Sequence, residues 1–381
     1  MIFQLTKTDR KYLGLKPVKS NWDIVQLTDE IYLFFDGSTI IKSITVNQNS
    51  YQENDMNEET SNNRTILLPK TGRGKPKKLN FSSFQSRNGI GTYFSFTAGN
   101  QGVIIGNYTT QKTFYETYFQ EIEINNFSEL RKWLDNFINS SSKNHLLDIN
   151  KFGKEKRKRV KVKEGDFFTF KVDRKNYGFG RVLLDIRKLH KEKFFEKENH
   201  YGLSNLMAQP LTIKVYHHIS ETKNIDVSIL KNKKCFPSEH IMDNRLFYGD
   251  YEIIGNLPLE NSEMEFPMSF SESIDYSNKG LIYFQWGFIY KEKNIKQISK
   301  SIVGNYFRNE GVGVGLRLNK KILINCIKDN SNDYYWNSDA FYTFKKDLRN
   351  PKNKESKIKI FKEFGLNPEL EYYQNTLQHL Q

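Results

Sequence analysis

Gly165-Asp166-Phe167-Phe168-Thr169-Phe170, followed by Asn176-Tyr177-Gly178-Phe179-Gly180-Arg181-Val182-Leu183, is the stretch that decides the fold. Phe168 and Phe170 lie two apart, as do Tyr177 and Phe179, so each pair can share one face of a strand. The glycines fall where a turn or a bulge would need them. The spacing predicts strands over Asp166–Val172 and Phe179–Ile186, joined by residues 173–178. A second stretch has the same character: Phe247-Tyr248-Gly249-Asp250-Tyr251-Glu252-Ile253-Ile254-Gly255-Asn256-Leu257-Pro258-Leu259, with Phe266-Pro267 shortly after. Together these predict a strongly bent sheet rather than a catalytic centre.

Working outward, strands are expected at Leu211–Ile219, Asp250–Gly255 and Leu281–Lys291, the last apolar on both faces like a central strand. Beyond residue 293 the pattern becomes helical. Ile322, Leu323, Cys326 and Ile327 form one stripe, and Ile358, Phe361 and Phe364 another, with Gly365 placed to end it. Upstream, Ile31–Asp36, Thr39–Val46, Arg64–Pro69, Gly91–Thr97, Gly102–Tyr108 and Tyr118–Ile124 read as strands, with Asp36-Gly37 as a hairpin signal. The polar run 47–63 reads as an exposed loop. Asn126 and Glu129 announce a helix whose stripe is Leu130, Trp133, Leu134, Phe137 and Ile138.

The 381 residues exceed one ordinary core. The expected fold class is α+β, as two β-dominated domains, each a bent, mostly antiparallel sheet with packing helices. The boundaries are an N-terminal domain of unassigned role over residues 1–145, a basic linker over 146–163, and a second domain over 164–381. Formal net charge is +14, and half of the excess sits in residues 151–163, which hold eight basic residues and one acidic. The flanking regions are only mildly basic, which argues against a surface that coats nucleic acid throughout.

Composition also narrows the function classes. The N-terminus has no apolar core of a secretory signal, and no stretch is long enough to cross a bilayer as a helix. Cys235 and Cys326 are far apart and suggest neither a zinc pattern nor a disulfide framework, so both are expected as reduced, partly buried thiols. His217 and His218 are adjacent on an expected strand and point to opposite faces. With His145, His190, His200, His240 and His379 they make no metal-ligand spacing. No nucleophile elbow surrounds Ser204 or Ser238. We therefore expect no catalytic residues, no cofactor and no metal.

Two basic segments have a chemical reading. In Pro69-Lys70-Thr71-Gly72-Arg73-Gly74-Lys75-Pro76-Lys77-Lys78, the residues Arg73, Lys75, Lys77 and Lys78 could enter an A·T-rich minor groove. The segment resembles an AT-hook, with Lys where that motif has Arg before Pro, and its plainer reading is a basic hairpin loop. Lys154–Lys163, with Arg157 and Arg159, could contact phosphates or dock on an acidic protein face, and its plainer reading is a solvated linker. Gly311, Gly313 and Gly315 precede a helix, but their spacing matches neither dinucleotide nor P-loop patterns, leaving an ordinary turn as the expectation.

The segment from Gly165 to Leu183 resembles the opening motif of the immunity protein 26 family of bacterial polymorphic toxin systems. Phe247–Pro267 is similar to that family's second block, and Phe364-Gly365-Leu366-Asn367-Pro368 to its end, so the resemblance spans about residues 160–370. It implies a cytoplasmic protein that binds and neutralises a cognate protein toxin without catalysis, at no membrane. Exposed aromatics such as Tyr177, Tyr248 or Trp336 would then serve as anchors. The competing expectation is a nucleic-acid-binding accessory protein using the two basic segments.

Overall fold

The computed structural model describes residues 2–99, 101–274 and 280–379. It is an α+β protein, with three mostly antiparallel sheets among the described residues. The chain divides into two compact units, Met1–Arg159 and Val160–Gln381.

The N-terminal unit is built on an antiparallel sheet in the order Asp23–Gln26, Ile31–Asp36, Thr39–Val46, Ser50–Ser61, Thr92–Thr97, Gly102–Asn107 and Lys112–Glu116. Alternation along Ile31–Asp36 sends Phe34 to one face and Leu33 and Phe35 to the other. The first face packs against helix Phe127–Asn139 through Leu130, Leu134 and Phe137. Asn126 caps that helix by accepting from the Glu129 N–H at 2.9 Å, while the Glu129 carboxylate accepts from the Asn125 N–H at 2.8 Å. A second helix, His145–Lys154, buries His145, Ile149 and Phe152 on the same core. The stretch 146–163, expected as a linker, thus begins as helix, and its basic residues hid the buried face that Ile149 and Phe152 form with His145 at i, i+4 and i+7.

Two expectations fail in this unit. Residues 118–124 form a short 3-10 turn at Tyr118–Gln120, and the strand lies at Lys112–Glu116 instead. More consequentially, the polar run 47–63 is a long central strand, Ser50–Ser61, paired with Thr39–Val46 and Thr92–Thr97. Its inward positions are Tyr51, Glu53 and Asp55, all buried. Lys42 Nζ, fully buried on the neighbouring strand, donates to Glu53 Oε1 at 2.7 Å and Asp55 Oδ1 at 2.6 Å. Arg10 completes the set with two bonds to Glu53, and the Tyr51 hydroxyl donates to Glu53 at 2.6 Å. Burial works against the Glu53 carboxylate, but Lys42 and Arg10 hold its pKa below the ordinary value. A charged face imitates a loop when its charges are neutralised inside the protein.

In the C-terminal unit a six-stranded sheet runs Glu252–Asn256, Asp166–Lys171, Tyr177–Asp185, Leu211–Ser220, Glu239–Ile241 and Val312–Gly313. Among the described residues only the last pair is parallel. A separate three-stranded sheet comprises Met268–Glu272, Leu281–Trp286 and Ile289–Asn294. The single strand expected over 281–291 is therefore a hairpin, turning at Gly287 with φ +54°. Helix Lys354–Glu363 packs Ile360 and Phe361 on the core with Phe284 and Trp286, and Gly365 follows it at φ +70°. Helix Lys320–Asp329 buries Ile322, Leu323 and Cys326.

Candidate binding site

The two motif segments meet in space. Phe168 pairs across the strands with Gly180, and Phe170 with Gly178. Each ring covers its glycine: a Cβ at Gly180 would stand 2.3 Å from the Phe168 ring and 2.7 Å from the Lys214 carbonyl, and one at Gly178 would stand 2.4 Å from Phe170. The glycines are thus required by the rings opposite them. Tyr177 and Phe179 face the other side, with Phe167 and Tyr216.

Arg181 is fully buried on that side, opposite Phe167, whose ring lies 4.3 Å from the guanidinium carbon. The guanidinium pairs with Glu263 and donates to the carbonyls of Leu257 at 2.7 Å and Pro258 at 3.0 Å. Asp166 accepts from the Lys163 N–H at 2.9 Å and from Asn256 Nδ2 at 2.8 Å. Gly165 sits at φ +83°, with the Leu257 carbonyl 2.2 Å from where a Cβ would stand. The motif's charged residues and glycines therefore join strand Tyr177–Asp185 to the chain between Asn256 and Glu263. They are a clamp inside the fold, not a surface constellation.

Beside this clamp lies a cleft of about 550 Å³. Met268, Trp286 and Tyr372 provide apolar surface, and Lys214, Glu263, Glu265 and Arg349 provide charge. Arg349 pairs with Glu265 and, at 2.7 Å, with Asp347, and Lys214 Nζ lies 3.6 Å from Glu263. Among the described residues the buried Trp286 indole N–H has no hydrogen-bond partner. Lys357 lines the mouth, its pKa lowered by burial, and Glu369 and Glu371 stand exposed beside it. An apolar floor under fixed charges can receive a side chain of a partner.

The titratable groups that suggested chemistry are otherwise occupied. Burial, then Arg317 and Arg349, pushes His240 down to about 3, and its Nδ1 lies 3.0 Å from the Thr212 hydroxyl. Burial pushes the thiols of Cys235 and Cys326 up to about 11, so both are protonated at neutral pH. His217 bonds Asn332 Oδ1 at 2.8 Å, whereas His218 packs by Phe179, on the opposite face. Among the described residues no group of three or more His, Cys, Asp or Glu could hold a metal ion. Nor, among them, is any helix long and apolar enough to cross a membrane. Val312–Gly313 is an edge strand on Glu239–Ile241, so the glycine-rich run there serves the sheet rather than a turn.

The expected contact residues are scattered. Tyr177 is half-buried against the Phe167 cluster, and Tyr248 is half-buried beside Phe247, with ring centroids 5.3 Å apart. Trp336, expected as an exposed anchor, is buried against Tyr335 and Phe344 and lines the cleft. Tyr335 and Phe344 claim the ring. The cleft itself escaped sequence reasoning because its walls come from segments more than a hundred residues apart.

In the N-terminal unit, the basic run 70–78 is a hairpin between Ile66–Leu67 and Lys77–Lys78. The Gly74 N–H donates to the Thr71 carbonyl at 2.7 Å, and Lys77 Nζ donates to Ser86 Oγ at 3.2 Å. Arg73, Lys75 and Lys78 are exposed at this hairpin, and Arg157 and Arg159 are exposed beyond the end of helix His145–Lys154.

No curated protein matches the chain, and no solved structure does. The segment Phe364–Pro368 lies outside the part that a family model matches. That part contains both halves of the Arg181 clamp: residues 163–281 match the model of the family Immunity protein 26.

Proposed function

We propose that the protein is a cytoplasmic immunity protein of a bacterial polymorphic toxin system, and that it neutralises a cognate toxin by direct, non-catalytic binding. The observation that carries this reading is the family match over residues 163–281, which spans most of the six-stranded sheet and one wall of the cleft. Inhibition by occlusion needs an interface of roughly 1,600 Å² with a few buried anchors rather than a reactive group. Tyr248 and Tyr177 are half-exposed aromatics of the kind that serve as anchors, and the cleft offers a socket for a toxin side chain. Trp336 would take part only as a wall of that socket.

On this reading a neighbouring gene should encode the toxin domain, and the test is coexpression with it. Growth should be rescued, and the purified pair should bind with Kd of about 1 nM to 1 μM. Tyr248→Ala should weaken binding at least tenfold while the melting temperature stays unchanged. Equal lethality with and without this protein refutes the reading.

A second reading, nucleic-acid binding, is favoured by the exposure of Arg73, Lys75 and Lys78 on an ordered hairpin. It requires binding whose logarithm falls steeply with the logarithm of salt concentration, and which is lost on replacing these residues and Arg157 and Arg159 with Ala. Absence of binding at physiological salt removes it.

A further inference from the structure

The N-terminal unit contains a cavity of about 960 Å³ that neither the family match nor the reading above accounts for. It lies at the upper end of the roughly 300–1,000 Å³ typical of small-molecule sites. Helix Lys7–Leu13 and the turn after it contribute Lys7, Lys11 and Lys16, and the end of helix His145–Lys154 contributes Lys154 and, just beyond, Lys156. Lys7 and Lys11 are four apart and so share one face of their helix. All five lysines are exposed, and among the described residues none is in an ion pair.

The acidic residues on the wall do not balance them. Asp55 accepts from Lys42 Nζ at 2.6 Å and from the Lys16 N–H at 3.0 Å. Glu155 is paired with Lys112 at 2.8 Å. Each carboxylate is thus matched by another cation or a backbone donor, and five ammonium groups remain around one concavity. Low-dielectric walls focus that field, and an anion inside relieves the mutual repulsion.

The rest of the lining is largely apolar, from Leu15, Ile90, Leu146 and Ile149. Thr92 also lines it, and among the described residues its buried hydroxyl has no hydrogen-bond partner. A groove that tracks single-stranded nucleic acid would set its charges along a line beside aromatic rings on which the bases stack, and among the described residues no aromatic one lines this cavity. Here lysines converge from two sides on an apolar pocket of bounded volume. We infer that this cavity binds a nucleoside polyphosphate, its phosphates held by Lys7, Lys11, Lys16, Lys154 and Lys156 and its ring system resting on Leu146, Ile149 and Ile90.

The experiment is calorimetric titration of the full chain at physiological salt with ATP, GTP, CTP and UTP, beside inorganic tripolyphosphate and a single strand of about 20 nucleotides. At least one nucleotide should bind saturably with Kd at or below about 100 μM. Tripolyphosphate, which lacks the ring, should bind at least tenfold more weakly. Lys11→Glu with Lys154→Glu should weaken nucleotide binding at least tenfold without changing the melting temperature, while Lys78→Glu on the hairpin, outside this lining, should leave it unchanged. No binding of any of the nucleotides up to about 1 mM overturns the inference. So does affinity unaltered by the double substitution, or tripolyphosphate binding as tight as the nucleotide's. If the oligonucleotide alone binds through these lysines, the cavity is part of a nucleic-acid surface and the inference also fails.

Discussion

Replacing Arg181 by Met tests whether the family motif is structural. The substitution preserves much of the stem that packs near Phe167 but removes the guanidinium from a fully buried site. Glu263 is then left with Lys214 Nζ at 3.6 Å, and the carbonyls of Leu257 and Pro258 lose their donors. Breaking a buried ion pair from one side typically costs about 3–5 kcal/mol. Set against a domain stability of about 5–15 kcal/mol, that is a large share. Urea unfolding monitored by hydrogen exchange of the Tyr177–Asp185 strand separates the C-terminal unit from the N-terminal one. The strand should lose protection by at least a hundredfold, since ~1.4 kcal/mol is a factor of ten. Arg181→Met with Glu263→Leu should recover at least about 1 kcal/mol relative to the single substitution, because no unpaired charge is left inside. A single variant within about 1 kcal/mol of the parent, or a double variant no better than the single, would refute the clamp. Unchanged stability with lost toxin binding would instead place Arg181 at the interface.

Further outcomes follow from two buried titratable groups and from two glycines, one crowded and one open. The folded protein keeps His240 neutral down to about 3, whereas the unfolded chain takes up the proton near 6.5, so its contribution is complete above that value and is lost as pH falls toward 3. Between pH 7 and 5 the C-terminal unit should lose about 2 kcal/mol from this group, and His240→Gln should remove that part of the dependence in urea melts at the two pH values. Lys42→Met should destabilise the N-terminal unit by about 3–5 kcal/mol, read as lost exchange protection in Ser50–Ser61, while Tyr177–Asp185 keeps its own. Gly180→Ala places a methyl 2.3 Å from the Phe168 ring and 2.7 Å from a backbone carbonyl, and should lower chemical stability by about 1–3 kcal/mol. Gly37→Ala, with open space around it at φ +59°, should cost only about 1 kcal/mol.

Much of the fold was legible where burial and alternation coincide. Ile31–Asp36 and Thr39–Val46 have the bounds their apolar pattern predicts, and the hairpin between them turns at Gly37, φ +59°. The Phe127–Asn139 helix has the expected cap and stripe. Legibility failed where partners lie far away in the chain. Nothing near Glu53 announces that Arg10 and Lys42 will neutralise it, so a central strand read as a loop. Glu239–Ile241 and Val312–Gly313 are too short for a periodic signal and exist because the first pairs with Leu211–Ser220 and the second with the first. The candidate cleft depends on strand, loop and helix converging from residues 214 to 372, which no local pattern encodes.

The location of charge bears on how such a protein could inhibit a partner. A net +14 makes it a poor match for a toxin with a basic substrate-binding face, as a nuclease would have. Part of the cationic complement is internal, however: Arg10, Lys42 and Arg181 are buried against carboxylates and present no field to a partner. The exposed lysines around the large cavity belong to the N-terminal unit. At the cleft of the C-terminal unit, Glu263, Glu265, Glu369 and Glu371 outnumber Lys214, Arg349 and Lys357, and Glu369 and Glu371 are exposed and, among the described residues, in no ion pair. On the proposed reading, a basic toxin would be met at this acidic mouth and an acidic one elsewhere. Glu369→Lys with Glu371→Lys therefore discriminates: slower association with the toxin, and a reversed salt dependence of the on-rate, identifies the mouth as the docking face. An on-rate indifferent to both charges excludes it.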